Sequence, residues 1–176
     1  MFRLILNNKK LYYTDNKKRM QLTLTAIQDS DIELLNEWLH KDYILQWYHD
    51  ADEWIHEIKE REGSFNFLSH YIILENDKPI GFCQFYDCFD AKEGWYSVEC
   101  PNNIYSIDYL IGEEHFLRKG YGKEIVRILT NKIIRDKNPE AIIVQPEQEN
   151  IASCKALLAN GYIYDFDNNY YILKCL

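Results

Sequence analysis

The 176-residue chain has no run of about 18 apolar residues, the length a helix needs to cross a bilayer. Its opening, Met1-Phe2-Arg3-Leu4-Ile5-Leu6, is too short an apolar stretch for a signal peptide. A cytoplasmic protein with no membrane partner is therefore expected. The five cysteines, Cys83, Cys88, Cys100, Cys154 and Cys175, are an odd set without C-x-x-C spacing. That excludes a disulfide framework and a zinc knuckle and suggests reduced intracellular thiols. The five histidines include no i, i+4 pair, so no metal is expected. There is also no net positive charge. The formal balance is −8, which argues against neutralising nucleic-acid phosphates and favours cationic small molecules. G-x-S-x-G, H-E-x-x-H, Walker and early-strand G-x-G-x-x-G motifs are missing, as are repeats, low-complexity tracts and linkers.

What is present suits one globular domain: 47% hydrophobic and 27% charged residues, with 14 tyrosines and 4 tryptophans. Tyr and Trp pack into cores, and they also line pockets for polar organic ligands, because each offers an apolar face with a hydrogen-bonding edge. Asn7 to Arg19 is polar and basic, and residues 1–20 are expected to form an N-terminal extension with a short strand, the domain proper following over 21–176. Leu22, Leu24 and Ala26 alternate with Thr23 and Thr25 as in a half-buried strand. Asp29 or Ser30 is a candidate cap for a helix whose buried face carries Ile32, Leu35, Trp38 and Leu39. The stretch from Tyr43 to Glu62 reads as helical. Tyr71–Leu74 and Ile80–Tyr86 flank the polar turn Glu75-Asn76-Asp77-Lys78, which predicts a hairpin, and the long loop from Asp87 to Asn103 mixes acids with aromatics. Ile104–Ile111 reads as a strand, followed by a helix with Ile125, Ile128, Leu129 and Ile133 on one face. Ala141–Val144 reads as a strand buried on both faces. Asn150 is placed to cap a helix that Gly161 ends, and Tyr162–Phe166 with Tyr170–Leu173 predict a final hairpin.

One junction carries chemistry. In Leu117-Arg118-Lys119-Gly120-Tyr121-Gly122-Lys123, two glycines let the backbone turn tightly where a helix begins. The first-turn N–H groups and the positive dipole end then face outward, with Arg118, Lys119 and Lys123 adding mobile charge, which makes an anion site suited to pyrophosphate.

The order of strand, this loop, helix, buried strand and then Asn150 opening a helix that ends in Asn160-Gly161-Tyr162 resembles the GNAT superfamily of acetyltransferases. Leu117 stands where that family's loop carries Gln or Arg, a departure shared with the aminoglycoside 6'-N-acetyltransferases. Glu93-Gly94-Trp95-Tyr96 followed by Ser106-Ile107-Asp108 is similar to the same subgroup. The resemblance spans about Leu22 to Tyr162. It implies an α/β (α+β) fold, a single GNAT-type domain whose mostly antiparallel mixed sheet is splayed at its centre with helices on both faces. It further implies acetyl-CoA as co-substrate, held by Tyr109, Leu110 and Ile111, by Arg118, Lys119, Gly120, Tyr121, Gly122 and Lys123, and by Asn150. A cationic amine, such as the 6'-amine of an aminoglycoside, would meet Glu93, Trp95, Tyr96, Asp108 and Gln145, with Asp108 in the catalytic role.

Asp108 has a plain structural reading as well, because a carboxylate in a strand is costly to bury unless it meets a donor or a cation. Gln145 stands before Pro146 where relatives carry Asp. Leu157 occupies the place of a Tyr that protonates the departing thiolate in many GNAT enzymes, and Tyr162 and Tyr164 are the candidate substitutes. Two alternatives stay open on sequence: a GNAT enzyme acting on a protein N-terminus, polyamine or siderophore precursor, and a non-catalytic acetyl-CoA-binding module. A monomer or a homodimer fits either.

Overall fold

The computed structural model describes residues 20–175 in full and 3–7 and 10–14 as strand backbone. Strands β1 (Arg3–Asn7) and β2 (Lys10–Thr14) pair with each other in a separate antiparallel ribbon. The side chains of the basic N-terminal stretch lie outside the described residues.

The main sheet holds seven strands: β3 (Leu22–Ala26), β4 (Leu68–Glu75), β5 (Lys78–Asp87), β6 (Ile104–Ile111), β7 (Ala141–Val144), β8 (Ile163–Asp165) and β9 (Tyr170–Lys174). Their order is β3-β4-β5-β6-β7-β9-β8, antiparallel except where β6 meets β7. Asn76 and Asp77 both take left-handed backbone, with φ of 48° and 62°, so the β4–β5 connection is the tight turn whose twist matches its strands.

Helices α1 (Ile32–Leu39), α2 (Asp42–Tyr48) and α3 (Ala51–Lys59) cover one face of the sheet. There Leu35, Trp38, Leu39, Ile44, Ile55 and Ile58 pack on Ile72, Phe82 and Leu110. On the other face α5 (Tyr121–Lys137) and α6 (Ile151–Leu158) bury Ile125, Leu129, Ile133 and Leu157 against Ile73, Phe85 and Ile107. Each such side chain contributes about 1.5–3 kcal/mol when fully buried. A short α4 (Cys88–Ala91) opens the long acidic and aromatic loop.

The stretch from Tyr43 to Glu62 is helical as expected and divides at His49, whose φ of 52° ends α2, while Asp50 starts α3 by accepting from the Asp52 and Glu53 N–H groups at 3.1 Å. One local expectation is corrected. Asp29 and Ser30 do not cap α1. They lie in a 3-10 turn closed by the Gln28 N–H donating to Asp31 Oδ2 at 2.8 Å. Asn150 and Gly161 behave as expected: the Asn150 side chain accepts from the Ser153 N–H at 3.1 Å, and Gly161 takes φ 86°.

What positions the site is the separation of β6 from β7. The two pair at Ile104↔Ala141, Tyr105↔Ile142 and Ser106↔Ile143, after which β6 runs on to Ile111 while β7 stops at Val144. Pro146 follows two residues later, and proline cannot donate to a ladder. At its far end β6 is drawn to the helical layer, since Lys41 Nζ and Tyr43 O–H each donate to the Gly112 carbonyl at 2.7 Å.

Candidate active site

A cavity of about 730 Å³ lies where the strands part, large enough for a substantial organic ligand. Its wall includes Asp108–Ile111 of β6, the loop and first turn of α5, the start of α6, and aromatic residues of α2 and α3.

On the α5 side, Arg118 is held at φ 60° and Gly120 at φ 88° immediately before the helix. Alternating left-handed residues before a helix turn successive N–H groups to one side, and the first N–H groups of α5 have no acceptor within the helix. Arg118, Gly120, Gly122, Lys123 and Asn150 line the cavity. A Cβ on Gly122 would stand 3.7 Å from the Tyr109 ring, an ordinary packing distance, so the first turn of α5 runs directly beside β6 at this point. The Tyr109 hydroxyl meets Ser153 Oγ at 3.2 Å, bridging β6 to α6.

On the opposite side Asp108 is enclosed by neighbours except where it borders the cavity. Gln84 Nε2 donates to Asp108 Oδ2 at 3.0 Å. Burial raises the Asp108 pKa from its ordinary 3.8 to about 7; the Gln84 bond opposes the rise and the negative charge of Glu93 adds to it. Trp95 Nε1 donates to Glu93, and Trp95 packs edge-on against Tyr96 at 4.5 Å and Tyr170 at 6.0 Å. The Tyr86 hydroxyl meets Ser106 and Glu93, and its pKa is driven up chiefly by burial.

The structure thus gathers Glu93, Trp95, Asp108, Tyr109, Leu110, Ile111, Arg118, Gly120, Gly122, Lys123, Gln145 and Asn150 around one cavity. Three expected residues stand apart from its lining. Lys119 is exposed on the loop. Tyr121 turns to Glu75 and packs on Phe116 at 4.8 Å. Tyr96 lies behind Trp95, its hydroxyl accepting from the Glu93 N–H at 3.2 Å. Gln145 borders the cavity, but its amide donates to the Asn169 carbonyl at 2.9 Å. Neither candidate substitute for Leu157 reaches the cavity. Tyr162 is 2% exposed with its hydroxyl on Thr130 at 2.8 Å, and Tyr164 is engaged with Asn169.

Sequence reading missed four neighbours of Asp108. Tyr48 closes the cavity from α2, its hydroxyl accepting from the Tyr109 N–H, and burial together with Asp108 pushes its pKa well above the ordinary value. Glu57 of α3 is raised from 4.5 to about 7, first by burial and then by Asp108, Glu53 and Glu93. Tyr86 and Gln84 complete the set. Only Gln84 had a signal, being a polar residue in an otherwise apolar strand. The helical pair comes near Asp108 through packing alone.

Residues 28–166 match the family described as Acetyltransferase (GNAT) domain, and the chain belongs to that family of acetyl-CoA-dependent N-acetyltransferases. An aminoglycoside N(6')-acetyltransferase type 1 from Klebsiella pneumoniae is 25% identical over 147 residues, 80% of this chain and 73% of that protein. The crystal structure of aminoglycoside acetyltransferase AAC(6')-Ib with coenzyme A superposes at a TM-score of 0.74 and 24% identity, covering 88% of this chain and 95% of that one. The same enzyme with coenzyme A and kanamycin gives 0.73 at 23% identity, over 88% and 95%. Among the described residues no helix is long and apolar enough to cross a membrane, and no cluster of His, Cys, Asp or Glu is placed to hold a metal.

Proposed function

We propose that this enzyme transfers the acetyl group of acetyl-CoA to a primary amine of a polycationic amino sugar, the 6'-amine of an aminoglycoside, with Asp108 as the group that receives the amine. The observation that carries this reading is a raised carboxyl, Asp108, between Glu93 and the point where β6 leaves β7, opposite a helix start suited to pyrophosphate. The named relatives and the acidic balance of −8 support the choice of amine. The catalytic domain is read as residues 21–176, preceded by an extension.

In this reading the α5 loop and Asn150 fix the nucleotide end of the cofactor, and the unpaired run of β6 borders its pantetheine arm. The amine nitrogen attacks the thioester carbon, forming C–N as C–S breaks. One proton of the substrate ammonium passes to Asp108 before the attack, and the second proton, shed by nitrogen once the C–N bond has formed, is taken up by the departing coenzyme A thiolate. A carboxylate with a pKa of about 7 is matched to that transfer near neutral pH, where an ordinary Asp would hold a proton too weakly. Glu93 and the Trp95 face hold further positive charge of the sugar by charge-assisted bonding and cation–π contact. A turnover assay on kanamycin-type substrates, read as coenzyme A release, tests the function; acetyl-CoA binding without turnover on them would reject it.

Two consequences follow from this division of labour. Gly120→Val puts a β-branched residue at φ 88° and is expected to raise KM for acetyl-CoA about tenfold or more, with KM for the amine nearly unchanged. Equal acetyl-CoA affinity in a folded variant would remove the loop from the site. Glu93 is exposed, so its attraction for a cation is screened over about 8 Å at physiological ionic strength. Glu93→Gln is therefore expected to flatten the salt dependence of amine KM, whereas a slope equal to wild type would place the binding charge elsewhere.

A further inference from the structure

His70 of β4 stands directly opposite Gln84 of β5, and Gln84 directly opposite Asp108 of β6. Directly opposed residues share a sheet face, so the three form one polar row running from the cavity into the sheet. The row is flanked by apolar positions, with Ile72 and Phe82 on one side and Leu68 and Tyr86 on the other. His70 is 6% exposed and Gln84 2%.

Gln84 gives its NH2 to Asp108, which leaves its Oε1 over. That oxygen and His70 Nε2 are the buried side-chain atoms without a hydrogen-bond partner among the described residues. Burying either alone is costly, and native proteins keep few such atoms. Here the two are complementary and adjacent. Burial, with Arg61 nearby, lowers the His70 pKa from 6.5 to about 4, so the ring is neutral and carries one N–H. The ring stacks on Phe82 at 6.1 Å with planes 27° apart, which restrains its orientation. The Gln84 amide turns about a broad terminal torsion, so its Oε1 is free to be presented to the ring of the residue directly opposite.

We propose that His70 and Gln84 are positioning residues for Asp108: His70 Nε2–H donates to Gln84 Oε1, and this locks the amide with its NH2 toward the Asp108 carboxylate. A donor aimed at a carboxylate favours its charged form. Without the His70 N–H the amide is free to turn over and offer Oε1 to a protonated Asp108, which stabilises the acid instead. The row therefore keeps a buried carboxyl from rising out of the range in which it accepts a proton at neutral pH. This inference rests on the reading of Asp108 as the amine-facing carboxylate.

Other groups also face Asp108: Tyr48 from α2, Glu57 from α3, Tyr86 from β5, and Cys88 and Glu93 from α4 and its loop. Glu57 titrates in the same range, so turnover alone does not separate the two carboxyls. The test is a carbon-13 NMR titration of the full chain labelled only in aspartate carboxyls, with the Asp108 signal assigned by its loss in Asp108→Asn. His70→Phe, which keeps the stack on Phe82, and Gln84→Met are each expected to raise the Asp108 midpoint by about one pH unit, the size of losing one oriented donor. His70→Gln, which retains an N–H, is expected to restore it. The acidic limb of kcat/KM should move with the midpoint while KM for acetyl-CoA stays constant. A His70→Phe or Gln84→Met protein with wild-type acetyl-CoA affinity and an unmoved Asp108 midpoint would overturn the proposal. Because the titration needs no turnover, it stands apart from the functional reading, which fails instead if Asp108→Asn retains full activity.

Discussion

Asp108→Asn is expected to bind acetyl-CoA as wild type does and to lose turnover at pH 7 by a hundredfold or more, the contribution of a positioned general base. Its pKa of about 7 makes the sign of the pH dependence definite. Wild-type kcat/KM should fall as pH drops below about 7, where Asp108 becomes protonated, and the variant should lose the part of that limb that belongs to Asp108, leaving only what Glu57 contributes in the same range. Stability moves the other way. A carboxyl whose folded pKa exceeds its unfolded value binds protons more tightly when folded, so the folded state is disfavoured as pH rises from about 4 through about 7. Asp108→Asn should therefore melt higher than wild type at pH 8 and show no such gain at pH 3. On the proposed role, an enclosed carboxyl would gain activity at the expense of stability. Wild-type turnover and amine affinity in Asp108→Asn would return Asp108 to a structural role.

Gly112→Ala is expected to lower stability by about 3 kcal/mol, at the upper end of overpacking costs, and Tm by about 6–12 °C. The reason is space and not backbone freedom. A Cβ at Gly112 would lie 2.1 Å from Trp38 Cδ2, and Trp38 is 1% exposed with its Nε1 donating to Glu113 Oε1 at 2.9 Å, so the indole has nowhere to go. The Gly112 carbonyl also receives Lys41 and Tyr43, so displacing it shifts the end of β6 that borders the cavity. Acetyl-CoA affinity should weaken along with Tm. A thermal melt lowered by less than about 2 °C would show that the indole yields.

Particular residues show where reading along the chain works. Gly120, Gly122 and the flanking bases announce themselves because a helix start after a tight turn needs those residue types at adjacent positions, and the geometry they imply is local. The same holds for Asn150 and Gly161, whose cap and left-handed turn involve neighbours within a few residues. The helical composition from Tyr43 to Glu62 was legible, but the break at His49 was not, since no glycine or proline marks a left-handed residue there.

The Asp108 environment belongs to a different scale. Tyr48 and Glu57 reach Asp108 from helices some fifty to sixty residues earlier, and His70 and Gln84 reach it through strand register. The exclusion of Tyr162 and Tyr164 as acids likewise follows from where their hydroxyls already bond. Sequence by itself carried the resemblance to the family in its motifs, and it showed the order of most strands and helices and a Gly-rich basic helix start, because periodicity, turn chemistry and capping act between residues close along the chain. Only the tertiary structure decided which side chains surround Asp108 and raise its pKa, because desolvation and through-space charge depend on what distant segments bring within a few ångströms.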